Sequence, residues 1–495
     1  MIGWIGDYFR FWWSLFYWNA RKSWFRIHGA HRDDCPCQNA SDSGLAFDTR
    51  CDAVMQWHRP ARFRRVCPLL TETKEGWRCS VEAEGVRPFW GRAVLYAAVS
   101  LLAVYLAGTV AVYAAMRAAN YDVRYFTIAW PARWKDLRAS QERLYVNRAQ
   151  LALRQGNYQE AILSLEMVCQ LNPRNYSAGI ALAGLTQVAA NPFIAEHIYE
   201  RLMHDVPEQR VQTAQIWFRT LLGRADYDRI MPLAATMLSE DPAERGAWLN
   251  AQLFAARQTG NSGALAQVLQ QNPHLPEWCT EIIGIEQALL ENQLDRVLPR
   301  LTRVSHYPDA SYYPYYQVHR LLLYGRAEQA NELLTAYGPR VQPDEASFLR
   351  LCIFQALKWN SLVGSEYDNL LQYPMVPRIA AQFCAYLIAH PATAPAARYC
   401  DKCLLEGPPL TGENLALYQA TYLVAVLAGD TAQAGTLHDQ LSRFTASDTR
   451  VLHGLEVLLK TGKPDPRLAR ILPLVPLPAE VVYAILERQT AAAPK

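Results

Sequence analysis

AVLYAAVSLLAVYLAGTVAVYAAM, residues 93–116, contains no Asp, Glu, Lys, Arg, His, Asn or Gln and is bounded by Arg92 and Arg117. At about 1.5 Å per residue it makes a helix of roughly 36 Å, against a bilayer hydrocarbon core of roughly 30 Å. Trp90, Tyr96 and Tyr113 stand near its ends, where amphipathic rings favour the headgroup layer. A helix buried in a large soluble domain is usually shorter and interrupted by a polar residue, so the stretch reads as a membrane span, taken as 92–117. It divides the chain into a small head and a long C-terminal body.

The whole chain of 495 residues carries a net charge of +3 and is 51% hydrophobic. That is enough apolar content for a sizeable core, and the charge lacks the basic footprint of a nucleic-acid binder. Residues 1–92 hold 14 Lys and Arg against 10 Asp and Glu, leaving 35 against 36 in the remainder, so the body is neutral.

Residues 1–28 open with dense aromatics, among them Trp4, Phe9, Trp12, Trp13, Phe16 and Trp18, while Asp7, Arg10, Ser14 and Arg21 share one helical face. A helix with a wide aromatic face that ends in Arg21, Lys22 and Arg26 suits the membrane interface, lying in its plane. Packing of that face on the protein itself is the alternative. No basic start, short apolar run and small-residue cleavage site is visible, so the segment reads as retained.

Residues 29–91 form an irregular Cys-rich segment with His31 and with Cys35, Cys37, Cys51, His58, Cys67 and Cys79. Few aliphatics means little core, and a tetrahedral zinc held by thiolates and imidazole supplies folding energy where a core does not. Those last six residues are the candidate zinc ligands. Their spacing is not that of a standard knuckle, so unligated reduced thiols and redox or iron-sulfur chemistry stay open. Five cysteines with no leader point to a reducing compartment. Arg59, Arg62, Arg64 and Arg65 suit anionic headgroups. Thiols and arginines together orient the head toward the cytoplasm and the body away from it, although the immediate flanks of the span nearly tie. Residues 118–141, with Trp130-Pro131, read as a linker with interfacial aromatics.

Repetition begins after residue 141. Gly156-x-Tyr158 precedes Ala161, Leu165 and Pro173; Ala195, Tyr199 and Pro207 repeat the last three positions 34 residues later. Tyr227, Ile230, Ala234 and Pro242 form a third unit, and Pro273, Pro308, Pro343, Pro377 and Pro409 stay near phase, with Ala330 and Ala397 within one residue of the small position. The pattern resembles the tetratricopeptide-repeat superfamily, although the Trp-x2-Leu-Gly-x2-Tyr of its first helix is absent. The resemblance implies an all-α helical solenoid over 142–480, stacked hairpin on hairpin, with a concave groove for a peptide or protein segment. Residues 481–495 then form the end of the last helix and a tail.

Tyr307, Tyr312, Tyr313, Tyr315, Tyr316 and Tyr324 cluster around Pro314, as a groove platform or, more often for such clusters, as inter-helix packing. Cys400-x2-Cys403 lies on a helix without the strand-helix context of a redox motif and reads as buried small hydrophobes. His-Glu-x2-His, a phosphate-cradling Gly-rich loop and Gly-x-Ser-x-Gly are not found. The sequence therefore implies a membrane-anchored scaffold that binds the bilayer and a protein partner, with no nucleic acid and no evident small-molecule substrate. One place for such a scaffold is an accessory subunit of a secretion, export or envelope-assembly machine. Two rivals remain: a transmembrane metal or redox sensor working through the head, and an enzyme, for which a buried charged cluster in the groove would speak.

Overall fold

A computed structural model of the chain describes residues 3–6, 8–9, 11–13, 16, 20, 70–73, 76–79, 89–189, 191–307, 310–372, 376–445 and 450–491. It divides into two compact units, Met1–Leu144 and Tyr145–Lys495. Helix makes up most of the described backbone.

In the first unit the dominant element is α1, Phe89–Ala118, long and apolar enough to cross a membrane. Between Val94 and Ala118 only Tyr96 and Thr109 are buried. Tyr96 is covered by the N-terminal helical residues: the Phe11 ring centroid lies 5.2 Å from its own and that of Tyr8 5.4 Å, while the Tyr8 hydroxyl bonds to Ser100. Trp4, Phe9, Trp13 and Phe16 stay exposed. The aromatic face is thus split, one edge on α1 and the rest outward. The interfacial placement of 1–28 lies largely outside the described residues.

Strands β1, Leu70–Thr73, and β2, Gly76–Cys79, pair antiparallel in the register Leu70 to Cys79. The segment read as irregular therefore contains a hairpin, formed by a run in which Thr71, Thr73 and Trp77 all favour extended backbone. After α1 the chain reverses at Asn120, whose φ of 62° ends the helix in the left-handed region. The supposed linker then forms α2, Tyr125–Ala129, which lies along α1. Tyr105 donates its hydroxyl to the Ala129 carbonyl at 2.7 Å, and the Thr109 and Tyr125 hydroxyls meet at 3.0 Å. The fold-back thus gives the hydroxyls of Tyr105 and Thr109 their partners.

Helix α3, Lys135–Arg154, begins before the boundary at Tyr145, and from there the second unit is built of helical hairpins: α3 with α4 (Tyr158–Leu171), α5 and α6 (Tyr176–Val188, Pro192–Asp205), α7 and α8 (Arg210–Gly223, Tyr227–Glu240), α9 and α10 (Arg245–Thr259, Ser262–Gln271), and α11 and α12 (Glu277–Leu290, Leu294–Leu301). Then follow α13 and α14 (Tyr312–Leu323, Ala327–Tyr337), α15 and α16 (Pro343–Ala356, Asn360–Leu370), α17 and α18 (Pro377–Ala389, Thr393–Glu406), and α19 and α20 (Leu415–Ala428, Thr431–Thr445). From α5 to α17 the odd-numbered helices begin 31 to 35 residues apart.

Local chemistry explains the hairpins. A residue with positive φ reverses most of them: Gly156, Ala225, Gly260, Asn292, Gly325, Lys358 and Gly429. Asn157, Asn175 and Asn261 cap helix starts by accepting from the backbone N–H three residues on. Where paired helices approach, the side chain is small and buried: Ala161, Ala195, Ala234, Ala330 and, one residue before the expected Ala397, Ala396.

Successive hairpins are also tied at about the repeat length. Arg229 pairs with Glu196, Arg320 with Glu286, Arg378 with Glu345, and Tyr422 bonds Glu456, each spanning 33 or 34 residues. From α9 to α19 each odd-numbered helix touches the next odd-numbered one.

The chain ends differently from its expected tail. After α21, Arg450–Thr461, and the short α22, Leu468–Ile471, the run Leu472-Pro-Leu-Val-Pro-Leu-Pro478 leads to α23, Ala479–Ala491. Helix α23 packs against α17 and also α7. Five hairpin steps at interaxial distances of about 8–10 Å would separate α7 from α17 by roughly 40–50 Å in a straight row, yet α23 is only about 20 Å long. The row of odd-numbered helices bends around α23. Gly223, at the end of α7, admits the returning segment: a Cβ there would come within 2.9 Å of the Pro473 nitrogen.

Candidate functional site

The site follows from what α23 presents. Its sequence, AEVVYAILERQTA, buries Val481, Val482, Ile485 and Leu486, positions one helical turn apart. The Tyr483 ring packs edge-on against Phe254 of α9 at 4.5 Å between centroids, and Arg488 donates to the Ile388 carbonyl of α17 at 3.3 Å. One helix therefore engages α7, α9 and α17, the first helices of three different hairpins.

Its carboxylates meet a basic surround. Burial raises the pKa of Glu480, with a hydrogen bond from its own backbone and then Arg378 and Arg219 pulling it back and Glu244 adding to the rise. Burial likewise raises Glu487, which Arg257 and Arg320 oppose. Among the described residues neither carboxylate closes an ion pair.

The arginines of α9 and α13 are already engaged. Glu286 of α11, fully buried, accepts from Arg320 at 2.7 Å and from the Tyr316 hydroxyl at 2.7 Å, with Arg257 3.6 Å away. This is the buried charged cluster that a groove enzyme would need. Its chemistry is that of a tie: the carboxylate has every partner it requires, and three successive hairpins are locked together. His319 stacks on Tyr315 at 5.9 Å, and burial together with Arg257 and Arg320 depresses its pKa to about 3, so it is neutral. Burial pushes the neighbouring Cys352 thiol up to about 12. These groups favour neither a charged acid nor a thiolate nucleophile.

The tyrosine cluster divides by helical face. Tyr313 is buried against Tyr307 at 4.9 Å, and Gln317, one turn on, accepts from Tyr337 of α14. Tyr312, Tyr315 and Tyr316 lie on the other side, where Tyr312 donates to Asn250 of α9 at 3.0 Å. Tyr324 ends the helix, 38% exposed. Both faces of α13 thus carry packing, with Tyr312 and Tyr315 partly buried against the core.

Cys400 and Cys403 of α18 are buried, and burial raises both thiols, Cys403 to about 11. Of the candidate zinc ligands, Cys35, Cys37, Cys51, His58 and Cys67 lie outside the described residues, and Cys79 ends β2. Among the described residues no group of three or more His, Cys, Asp or Glu is placed to hold a metal.

Sequence reasoning missed Arg257, Glu286, Arg320 and α23 itself. A signal existed for the first three, since Glu286 and Arg320 stand 34 residues apart. No protein-family model, curated protein or solved structure matches the chain.

Proposed function

We propose that the chain is a membrane-anchored scaffold of tetratricopeptide type whose inner face takes a helical segment of a protein partner. The observation that carries the reading is α23, an amphipathic helix seated against the first helices of several hairpins. A face that accepts one such helix has the curvature, apolar surface and charge to accept another, the helix-in-groove mode of recognition. Membrane anchoring is supported by α1, whose apolar side chains stay uncovered along its length. The solenoid reading is supported by the hairpin spacing and by ion pairs that recur at that spacing.

Photocrosslinking tests the scaffold reading. With a crosslinking residue in place of Tyr315, the wild-type chain in its native membranes is expected to capture a discrete second protein. Capture of nothing beyond the chain itself removes the proposal. Carbonate extraction tests the anchor: the full chain is expected in the membrane pellet, and its release to the supernatant defeats the span.

A further inference from the structure

We infer that residues 468–491 are a clasp: α22, the 3-10 turn Leu472–Leu474 and α23 join the third and fourth hairpins to the eighth and hold the row of first helices at one curvature. The inner face is bent before any partner arrives.

Three seats fix the clasp, each a hundred or more residues away in sequence. At the first, Leu472–Leu474 packs on α7, where the nitrogen and Cα of Pro473 stand 2.9 Å and 3.0 Å from the place that a Cβ on Gly223 would take. Glycine alone lets the two backbones approach so closely. At the second, Tyr483 sets its ring against Phe254 of α9, 4.5 Å between centroids. At the third, α23 runs along α17, and Arg488 donates to the Ile388 carbonyl at 3.3 Å.

Between these seats the segment has no slack. Leu468, Leu472, Val475 and Leu477 are buried ahead of α23, as are Val481 and Ile485 within it. An array of stacked hairpins passes strain only to its nearest neighbours. Here α7 and α17 are five hairpin steps apart along the row yet share one helix, so a change at either reaches the other directly. For the partner proposed above, a face held at one curvature lowers the ordering cost of binding. The clasp itself needs no partner, since every contact in it is internal.

Amide exchange on the full chain in detergent tests it. Gly223→Leu puts a good helix former into α7, so that helix loses no propensity, but the new side chain must displace Pro473. Exchange in Phe383–Leu387 of α17 is expected to rise at least ~10-fold, while Ile282–Ile285 of α11, which lies between the two in the row, changes by less than ~3-fold. Ala195→Leu, an intrusion of similar size at the fully buried Ala195 of α6, is expected to leave α17 at its wild-type rate. The milder Gly223→Ala is read in the same way should leucine melt the chain.

A response that fades from α7 through α11 to α17 would show strain passing hairpin by hairpin and would overturn the clasp. So would an α17 that ignores both Gly223 variants, or one that answers Ala195→Leu as strongly. None of these outcomes bears on photocapture of a partner, so the scaffold reading stands or falls by its own experiment.

Discussion

Two apolar helices in this molecule meet opposite fates. Helix α19 buries ten consecutive residues, Leu417 to Val426, between α17, α18, α20 and α21. Helix α1 leaves Leu101 and Val104 about 70% exposed. Composition does not separate them, since both lack charged residues over their central stretch. Length does: α19 measures about 21 Å, too short for a hydrocarbon core of roughly 30 Å, and α1 about 45 Å. A helix that is apolar all round must be covered by something. Around α19 other helices supply the cover; for α1 we propose that lipid does.

A charge placed in each helix gives the largest contrast. Leu423→Arg puts an unpaired guanidinium where Leu423 is fully buried, and the body is expected to lose its cooperative melt altogether. Val104→Arg should leave the melt of the body unchanged and cost about 2.5–3.5 kcal/mol of insertion, seen as partial release from membranes. If Val104→Arg instead unfolded the body, α1 would be a core helix and the comparison would collapse.

Truncation sharpens the same contrast at smaller scale. Leu423→Ala removes buried methyl groups and leaves a cavity, for a loss of about 2–5 kcal/mol in denaturant unfolding. Leu101→Ala, on the uncovered face, should change body stability by less than ~0.5 kcal/mol. An equal loss in both would mean that α1 packs on protein.

How much of this was legible depends on which signals the chain keeps. Length and absence of charge at 93–116 were enough to find α1, because no other element needs so long an apolar run. The hairpins announced themselves where Ala161 and Ala195 keep helices close, and where Gly156 marks a turn. They faded where Ala225, Asn292 and Lys358 adopt the same left-handed turn without glycine, so the usual signal is missing. The seat of helix α23 was illegible. Its stripe reads like any amphipathic helix, and nothing local to residues 479–491 says that the covering surface lies at Arg219 or Phe254, more than two hundred residues earlier.

The smallest effects belong to the hydroxyls that tie each helix to a neighbour. Tyr422 of α19 donates to Glu456 at 2.6 Å, and Tyr105 of α1 donates to the Ala129 carbonyl at 2.7 Å. Tyr422→Phe should cost about 1.5–3 kcal/mol because its acceptor is charged, and Tyr105→Phe about 1 kcal/mol because its acceptor is neutral. Only the first should depend on pH. Burial would raise the pKa of Glu456, but hydrogen bonds from Lys460, Tyr422 and His453 outweigh it and hold the carboxyl at about 2, below its ordinary 4.5. A carboxyl depressed in the folded state stabilises it above the ordinary value, and that stability is lost as pH falls from about 4.5 toward 2. The Tyr422→Phe variant, with one of those bonds gone, should therefore show a shallower fall in stability over that window than wild type. Denaturant unfolding at pH 7 and pH 3.5 reads the difference. Parallel losses in both proteins would show that Tyr422 does not help to hold Glu456 ionised.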